Sequence, residues 1–316
     1  MARAAMRTTL IWCDMKICLK RLLVFIVAIF VLSSIVAMYL LPTSADIIHE
    51  QESPYQTVFV SEANGIRRMH AGSLLDRSSA MDLNDPYRHV YEYTAMMMLV
   101  CGYVDAPKKI LVVGLGGGTV TRTLRMIYPD AQITNVEFDP VVVDMARQYF
   151  GYVEDANMKL VVEDARRWLR STTERFDMIF LDAYHGGYIP FHLTTREFLE
   201  IVRARLSKGG VVCSNTWINQ ALSDRESATY HAVFGGFHHY IGKLSTNRIV
   251  VAAPGGLPSS EAVRARLAEL DATRKPERLD LQGMFANHFE PNPTWPGDAK
   301  ILTDDHAPVN LLKDGK

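Results

Sequence analysis

Three carboxylates and one glycine-rich loop carry the chemistry legible in this chain. Gly114-Leu115-Gly116-Gly117-Gly118-Thr119 follows an apolar run and lets a ligand come close to the backbone. A dinucleotide fingerprint requires glycine at 119, where threonine stands. A phosphate-binding P-loop requires Gly-Lys-Ser/Thr, which is absent here. The GxGxG spacing fits a loop receiving a sulfonium nucleoside of the S-adenosylmethionine kind, a ligand without phosphate; a structural turn is the bland alternative. The carboxylates weigh against that alternative, because Glu137, Asp164 and Asp182 each end an apolar segment of strand type. A carboxylate at 137 is placed to accept ribose hydroxyls, whose donors need partners once buried. Asp164 falls where an adenine amino group would lie. Gly114, Gly116, Gly118, Glu137 and Asp164 thus form the expected nucleoside-binding set.

Such groups meet only if their strands are neighbours. Strand patterns over 110–114, 133–139, 158–164, 176–184 and 209–215 alternate with helical patterns over 119–127, 140–150, 165–171 and 195–206. That alternation predicts an α/β fold with a doubly wound parallel sheet, whose ligands sit beyond the carboxyl ends of the strands. Residues 238–253 read as edge strands, 261–270 as a surface helix and 290–297 as loop. Upstream, 55–60 and 66–71 read as short strands around a turn. Residues 89–100 read as a helix whose methionines pack rather than bind a ligand.

The chain has 316 residues, a formal charge of −1 and 48% hydrophobic residues. The absence of a basic surplus argues against nucleic acid as a partner. Cys13, Cys18, Cys101 and Cys213 show no CxxC spacing, and no metal site is expected. Residues 22–41 carry no charge and are long enough for a transmembrane helix or signal anchor. Basic residues precede this run and acidic ones follow it, which predicts a single-pass membrane protein with a cytoplasmic N-terminus. Cleavage after Ala45 is the alternative. The expected plan is a basic segment 1–21, the apolar segment 22–41, a small β-rich domain 46–105 and a nucleoside-binding α/β domain 106–316. The oligomeric state stays open, with a homodimer one option.

Over roughly residues 53–215 the chain resembles the spermidine/spermine synthase family of aminopropyltransferases. The stretches that carry the resemblance are SPYQTVFV, ILVVGLGGG, VEFDPVVVDMARQYF, VVEDARRWL and FDMIFLDAY. GGYIPFHLTTREFL and LTDDHAPVNLL resemble its membrane-associated bacterial branch. The resemblance implies a small N-terminal β domain before a Rossmann-like, methyltransferase-type domain. It implies transfer of an aminopropyl group from decarboxylated S-adenosylmethionine, a co-substrate rather than a bound cofactor, to an amine such as putrescine. It casts Asp182 as the base, puts Gln56 on the nucleoside and lets Tyr240 line the amine pocket. The chain departs from the family at Gly117, where an aspartate is usual, and at His185, where a second acid is usual. Around HVYEY only Glu92 is matched. His185 is a candidate base because imidazole titrates near neutrality, while His192 reads as structural. The alternatives are methyl or aminocarboxypropyl transfer from intact S-adenosylmethionine, and a non-catalytic membrane-anchored nucleoside or polyamine sensor.

Overall fold

A computed structural model describes residues 46–184, 189–218, 220–274, 279–291 and 293–309. The chain divides into Met1–Ala45 and Asp46–Lys316, and the second unit is described here. Its first strands are β1 (Asp46–Glu52), β2 (Thr57–Ala63), β3 (Ile66–Ala71) and β4 (Arg77–Asp82), an antiparallel sheet in sequence order. Asn64 and Gly65 join β2 to β3 with φ of 53° and 72°. Two successive residues at positive φ suit a two-residue hairpin.

After α1 (Glu92–Met97) and a 3₁₀ turn (Met98–Gly102) the chain alternates between strand and helix. The elements are β5 (Lys109–Val113), α2 (Thr119–Ile127), β6 (Gln132–Glu137), α3 (Pro140–Tyr149), β7 (Met158–Val162), α4 (Ala165–Ser171) and β8 (Phe176–Leu181). Then come α5 (Arg196–Arg205), β9 (Leu206–Trp217), α6 (Gln220–Phe234), β10 (Phe237–Ile241), β11 (Asn247–Ala252), α7 (Ser260–Thr273), α8 (Leu281–His288) and the short β12 (Phe289–Glu290). The eight-stranded sheet runs β12-β10-β11-β9-β8-β5-β6-β7. The strands from β7 to β9 are parallel, whereas β11, β10 and β12 pair antiparallel. This is a Rossmann-like, methyltransferase-type α/β fold preceded by a small β sheet.

The two-residue period of the strands sorts the core into two layers. Ile110, Val112, Met178, Phe180, Val211 and Cys213 face the layer holding Leu124, Val263 and Phe285. Their alternating neighbours Leu111, Val113, Ile179, Leu181 and Val212 face Leu169, Phe198 and Tyr230. Burial on both faces is why these strands read as unbroken apolar runs. A third cluster packs Val58, Val60, Met69 and Met81 of the small sheet against Val141, Val142, Met145 and Phe150.

Two expectations need correction. Met96–Cys101, counted with the N-terminal β domain in the sequence, packs into the large sheet's core, because this stretch is apolar all round. The single-pass membrane location is also corrected. Among the described residues no helix is long and apolar enough to cross a membrane, and residues 22–41 lie outside them.

One buried ion pair ties α6 to the sheet. Arg248 on β11 meets Glu226 at 2.9 Å, with side-chain exposures of 5% and 3%. Its guanidinium also donates to Ser227 Oγ at 2.8 Å and to Thr216 Oγ1 at 3.0 Å. Removing one partner of such a pair strands a buried charge, at a cost of about 3–5 kcal/mol. Arg248→Met should therefore lower the unfolding free energy by that amount in a denaturant titration, and Arg248→Lys should recover part of it. An unchanged midpoint for Arg248→Met would mean that the pair contributes nothing.

Candidate active site

The sheet reverses strand order between β5 and β8, and a cleft of about 510 Å³ opens beyond the carboxyl ends of the strands there. Gly114 makes the junction possible. Its N–H donates to Val136 on β6, while the neighbouring Val113 carbonyl accepts the Asp182 N–H from the β8 side. Gly114 has φ +88°, and a Cβ there would overlap the carbonyl oxygen of Asp182. A side chain at Gly117 would meet the Phe150 ring at 2.6 Å and Ser79 Oγ at 2.8 Å. Position 117 thus has no room for the family's aspartate, and its N–H already donates to Ser79 Oγ at 2.9 Å.

Glu137 ends β6 with its carboxylate buried. It accepts the backbone N–H groups of Leu115, Phe138 and Asp139 at 2.9, 2.8 and 3.1 Å. Burial raises its pKa, and those three donors oppose the rise. A carboxylate has about four acceptor sites, so one remains for a ligand. Asp139 caps α3, accepting the Val141 N–H, and Pro140 supplies the favoured first helical residue. It also accepts Ser53 Oγ–H at 2.8 Å and Gln56 Nε2–H at 3.2 Å, tying the β1–β2 loop to the cleft. That bond turns Gln56 Oε1 the other way, where it is buried with no hydrogen-bond partner among the described residues.

Asp164 caps α4 through the Arg167 N–H at 2.8 Å and pairs with His192 Nε2 at 2.9 Å. The histidine holds its carboxyl below the ordinary range. Asp182 follows β8. Asn215 Nδ2 donates to its Oδ1 at 2.9 Å, and Asn247 Nδ2 donates to Asn215 Oδ1 at 2.9 Å. Burial pushes Asp182 up to about 7, with Asn215 pulling the other way and the Glu137 charge adding to the rise. Tyr93, Tyr184 and Trp217 also line the cleft, and the rings of Tyr184 and Trp217 stack at 5.8 Å.

The cleft therefore brings together Gln56, Gly114, Gly116, Glu137, Asp164 and Asp182. Three expected residues lie elsewhere. Gly118 starts α2 at φ +73°, with the Tyr152 ring 3.2 Å from where a Cβ would stand. Tyr240 is wholly buried and its hydroxyl pairs with Tyr103 Oη at 2.7 Å, so it belongs to the core. Glu92 is committed to the backbone of residues 243–244 and to the Ser245 hydroxyl. His185 lies outside the described residues. His192, expected as structural, is a cleft residue; its bond to Asp164 joins the 3₁₀ turn Phe191–Leu193 to the N-terminus of α4, and no local spacing marks it. Among the described residues the cleft is lined by five carboxylates (Asp76, Glu137, Glu163, Asp164 and Asp182) and by no lysine or arginine.

Residues 90–245 match the Spermine/spermidine synthase domain. A polyamine aminopropyltransferase of Vibrio vulnificus (strain CMCP6) is 34% identical over 274 residues, which cover 84% of this chain and 91% of that protein. One from Chromobacterium violaceum is 33% identical over 238 residues, covering 74% and 89% of the two chains. The fold is similar to the crystal structure of a probable spermidine synthase from Corynebacterium glutamicum. The TM-score is 0.63 at 19% identity, and 84% of this chain and 99% of that one are covered.

The tight junction at Gly114 is open to test. Alanine at a left-handed position costs roughly 1–2 kcal/mol from backbone conformation alone. Gly151, at φ +66° with open space where a methyl group would stand, should show that cost and no more. Gly114→Ala should exceed Gly151→Ala in lost unfolding free energy by about 1 kcal/mol or more, since it adds a steric overlap. Equal losses in thermal unfolding would mean that β5 and β8 do not approach this closely.

Proposed function

The chain belongs to the spermine/spermidine synthase family, and from that premise we propose that Asp182 is the proton acceptor in aminopropyl transfer to a primary amine. The observation that carries this reading is the setting of Asp182: a carboxylate at the end of β8, lining the cleft and fixed by Asn215, whose burial pushes its pKa up to about 7. A primary amine is protonated in neutral water and must lose a proton to become a nucleophile. A base is most effective when its pKa lies close to the working pH. As the amine nitrogen bonds to the carbon beside the sulfonium, the carbon–sulfur bond breaks and sulfur leaves as a neutral thioether. The proton passes from nitrogen to Asp182.

The nucleoside is assigned to Gln56, Glu137 and Asp164, with Gly114 and Gly116 letting it approach the backbone. The unpartnered Gln56 Oε1 and the remaining acceptor site of Glu137 suit ligand hydroxyls or amino groups. Decarboxylated S-adenosylmethionine is the donor this cleft favours. Five carboxylates and no described lysine or arginine suit the cationic tail that remains after decarboxylation, whereas an intact ligand would bring its own carboxylate among like charges. Gly117 does not argue for the intact ligand, because packing against Phe150 and Ser79 explains it.

The test is to incubate the protein with either sulfonium nucleoside and a panel of amines, and to identify products by mass spectrometry. An aminopropylated amine should form from the decarboxylated nucleoside only. The rate at limiting amine should rise through pH 7 as Asp182 loses its proton, because the acceptor works as carboxylate. Asp182→Asn should lower turnover by about 10²–10⁴-fold, the usual worth of a general base, with little change in nucleoside affinity by calorimetry. Near-normal turnover by Asp182→Asn would sink the assignment.

A further inference from the structure

Glu92 has no place in the cleft, yet its carboxylate is heavily committed. It accepts the N–H of Lys243 at 3.1 Å, the N–H of Leu244 at 2.9 Å and the hydroxyl of Ser245 at 2.9 Å. These residues form the turn between β10 and β11. The turn has little packing to hold it, since Leu244 at its tip is 92% exposed. Among the described residues, backbone bonds brace only its flanks, Gly242 N–H to Asn247 O at 2.9 Å and Ile218 N–H to Thr246 O at 2.7 Å. Glu92 thus supplies from α1 the fixation that an apolar side chain would otherwise provide.

What the turn carries gives this fixation a purpose. Ser245 Oγ, donating to Glu92, accepts the Asn247 N–H at 3.4 Å. Asn247 donates to Asn215, and Asn215 donates to Asp182. An unbroken series of hydrogen bonds therefore runs from a carboxylate outside the cleft to the carboxylate assigned as proton acceptor. Its polarity is fixed at both ends. A carboxylate at 182 requires a donor, so Asn215 must turn its NH₂ to Asp182 and its oxygen to Asn247. We infer that Glu92 is a positioning residue for Asp182, acting through the 243–247 turn and the Asn247–Asn215 amide pair.

The inference rests on the proposed role of Asp182, but its geometry does not. Burial works against the charge on Glu92, yet the Leu244, Lys243 and Ser245 donors hold it below the ordinary range, so it stays ionised at neutral pH. Facing it are His288 of α8, with Nε2 at 3.9 Å, and Lys243, whose Nζ reaches Glu290 at 3.8 Å. Facing Asp182 are Glu137 of β6, Tyr93 of α1, Tyr184 after β8 and Cys213 of β9. All of these remain in a Glu92 variant, and losing the Glu92 charge can only lower the Asp182 midpoint, so a rise in that midpoint reports on the amide bonded to it.

The test uses Glu92→Gln in the full chain. The new NH₂ opposes the N–H groups of the turn, which should loosen Asn247 and weaken the donor to Asp182. Losing a hydrogen bond to a charged group altogether moves a pKa by roughly one to two units. Carboxyl-carbon NMR of aspartate-labelled protein, assigned with Asp182→Asn, should show the Asp182 midpoint rising by about half a unit or more, since partial loss gives a fraction of that range. Asn247→Ala should raise it too, and the double variant should move it little further than Asn247→Ala alone. Leu244→Ala, at the exposed tip, should leave it unchanged. A Glu92→Gln protein with the wild-type midpoint, or shifts that add in the double variant, would overturn the inference. If Glu92→Gln does not fold, Ser245→Ala breaks the next link and is read the same way. The titration needs no substrate, so a wild type that transfers nothing would count against the proposed function and not against this series.

Discussion

The site depends on one close approach, the backbone of Gly114 against the carbonyl of Asp182 with no room for a side chain between them. Gly114 bonds to β6 while the residue before it bonds to β8, so the two halves of the parallel sheet part at this point. Glu137 rests on that parting. Its carboxylate gathers the Leu115 N–H from the glycine loop and two N–H groups from the turn into α3, giving the loop one conformation. The acid read from sequence as a ligand for ribose is therefore also the group that shapes the loop. Replacing it would disturb both, and the two effects are separable only by a method that reports fold and affinity independently.

The small sheet contributes through a second anchor. Asp139 serves at once as the cap of α3 and as the acceptor for Ser53 and Gln56. That double duty aims Gln56 into the cleft and leaves its oxygen free for a ligand. Tyr55 and Phe138, whose rings meet edge-on at 4.7 Å, follow the same anchor to the cleft wall. Burial of Val58, Val60, Met69 and Met81 against α3 keeps this arrangement from swinging.

The parallel strands and the positions of Glu137, Asp164 and Asp182 are legible because strands buried on both faces read as apolar runs with acids at their ends. Other elements leave no such trace. Helix α6 hides its period because its buried face carries Glu226, Ser227 and Thr229, satisfied in large part by Arg248 and by backbone carbonyls. Strand β1 shows no apolar alternation because it is an edge strand whose side chains are mostly exposed. Tyr240 misleads because a tyrosine near an expected pocket and a tyrosine satisfied by another hydroxyl look the same in sequence. Glu92 misleads because its partners are chiefly backbone N–H groups of residues 243 and 244, which no side-chain pattern records. His192 escapes recognition for a similar reason, since its partner is the distant N-cap of α4.

The acidic lining of the cleft has a consequence for how the reaction ends. The proposed transfer removes the positive charge from sulfur and leaves the nucleoside product less cationic than the donor. The amine product gains one further nitrogen centre that takes up a proton in water. With Asp182 protonated by the step, the other four acids of the cleft hold the spent nucleoside more weakly and the lengthened amine more strongly than their precursors. In the proposed reaction, charge therefore favours departure of the nucleoside over departure of the amine. Salt, by screening these charges over a Debye length of about 8 Å at physiological ionic strength, slows the approach of fresh substrate and hastens that exit together.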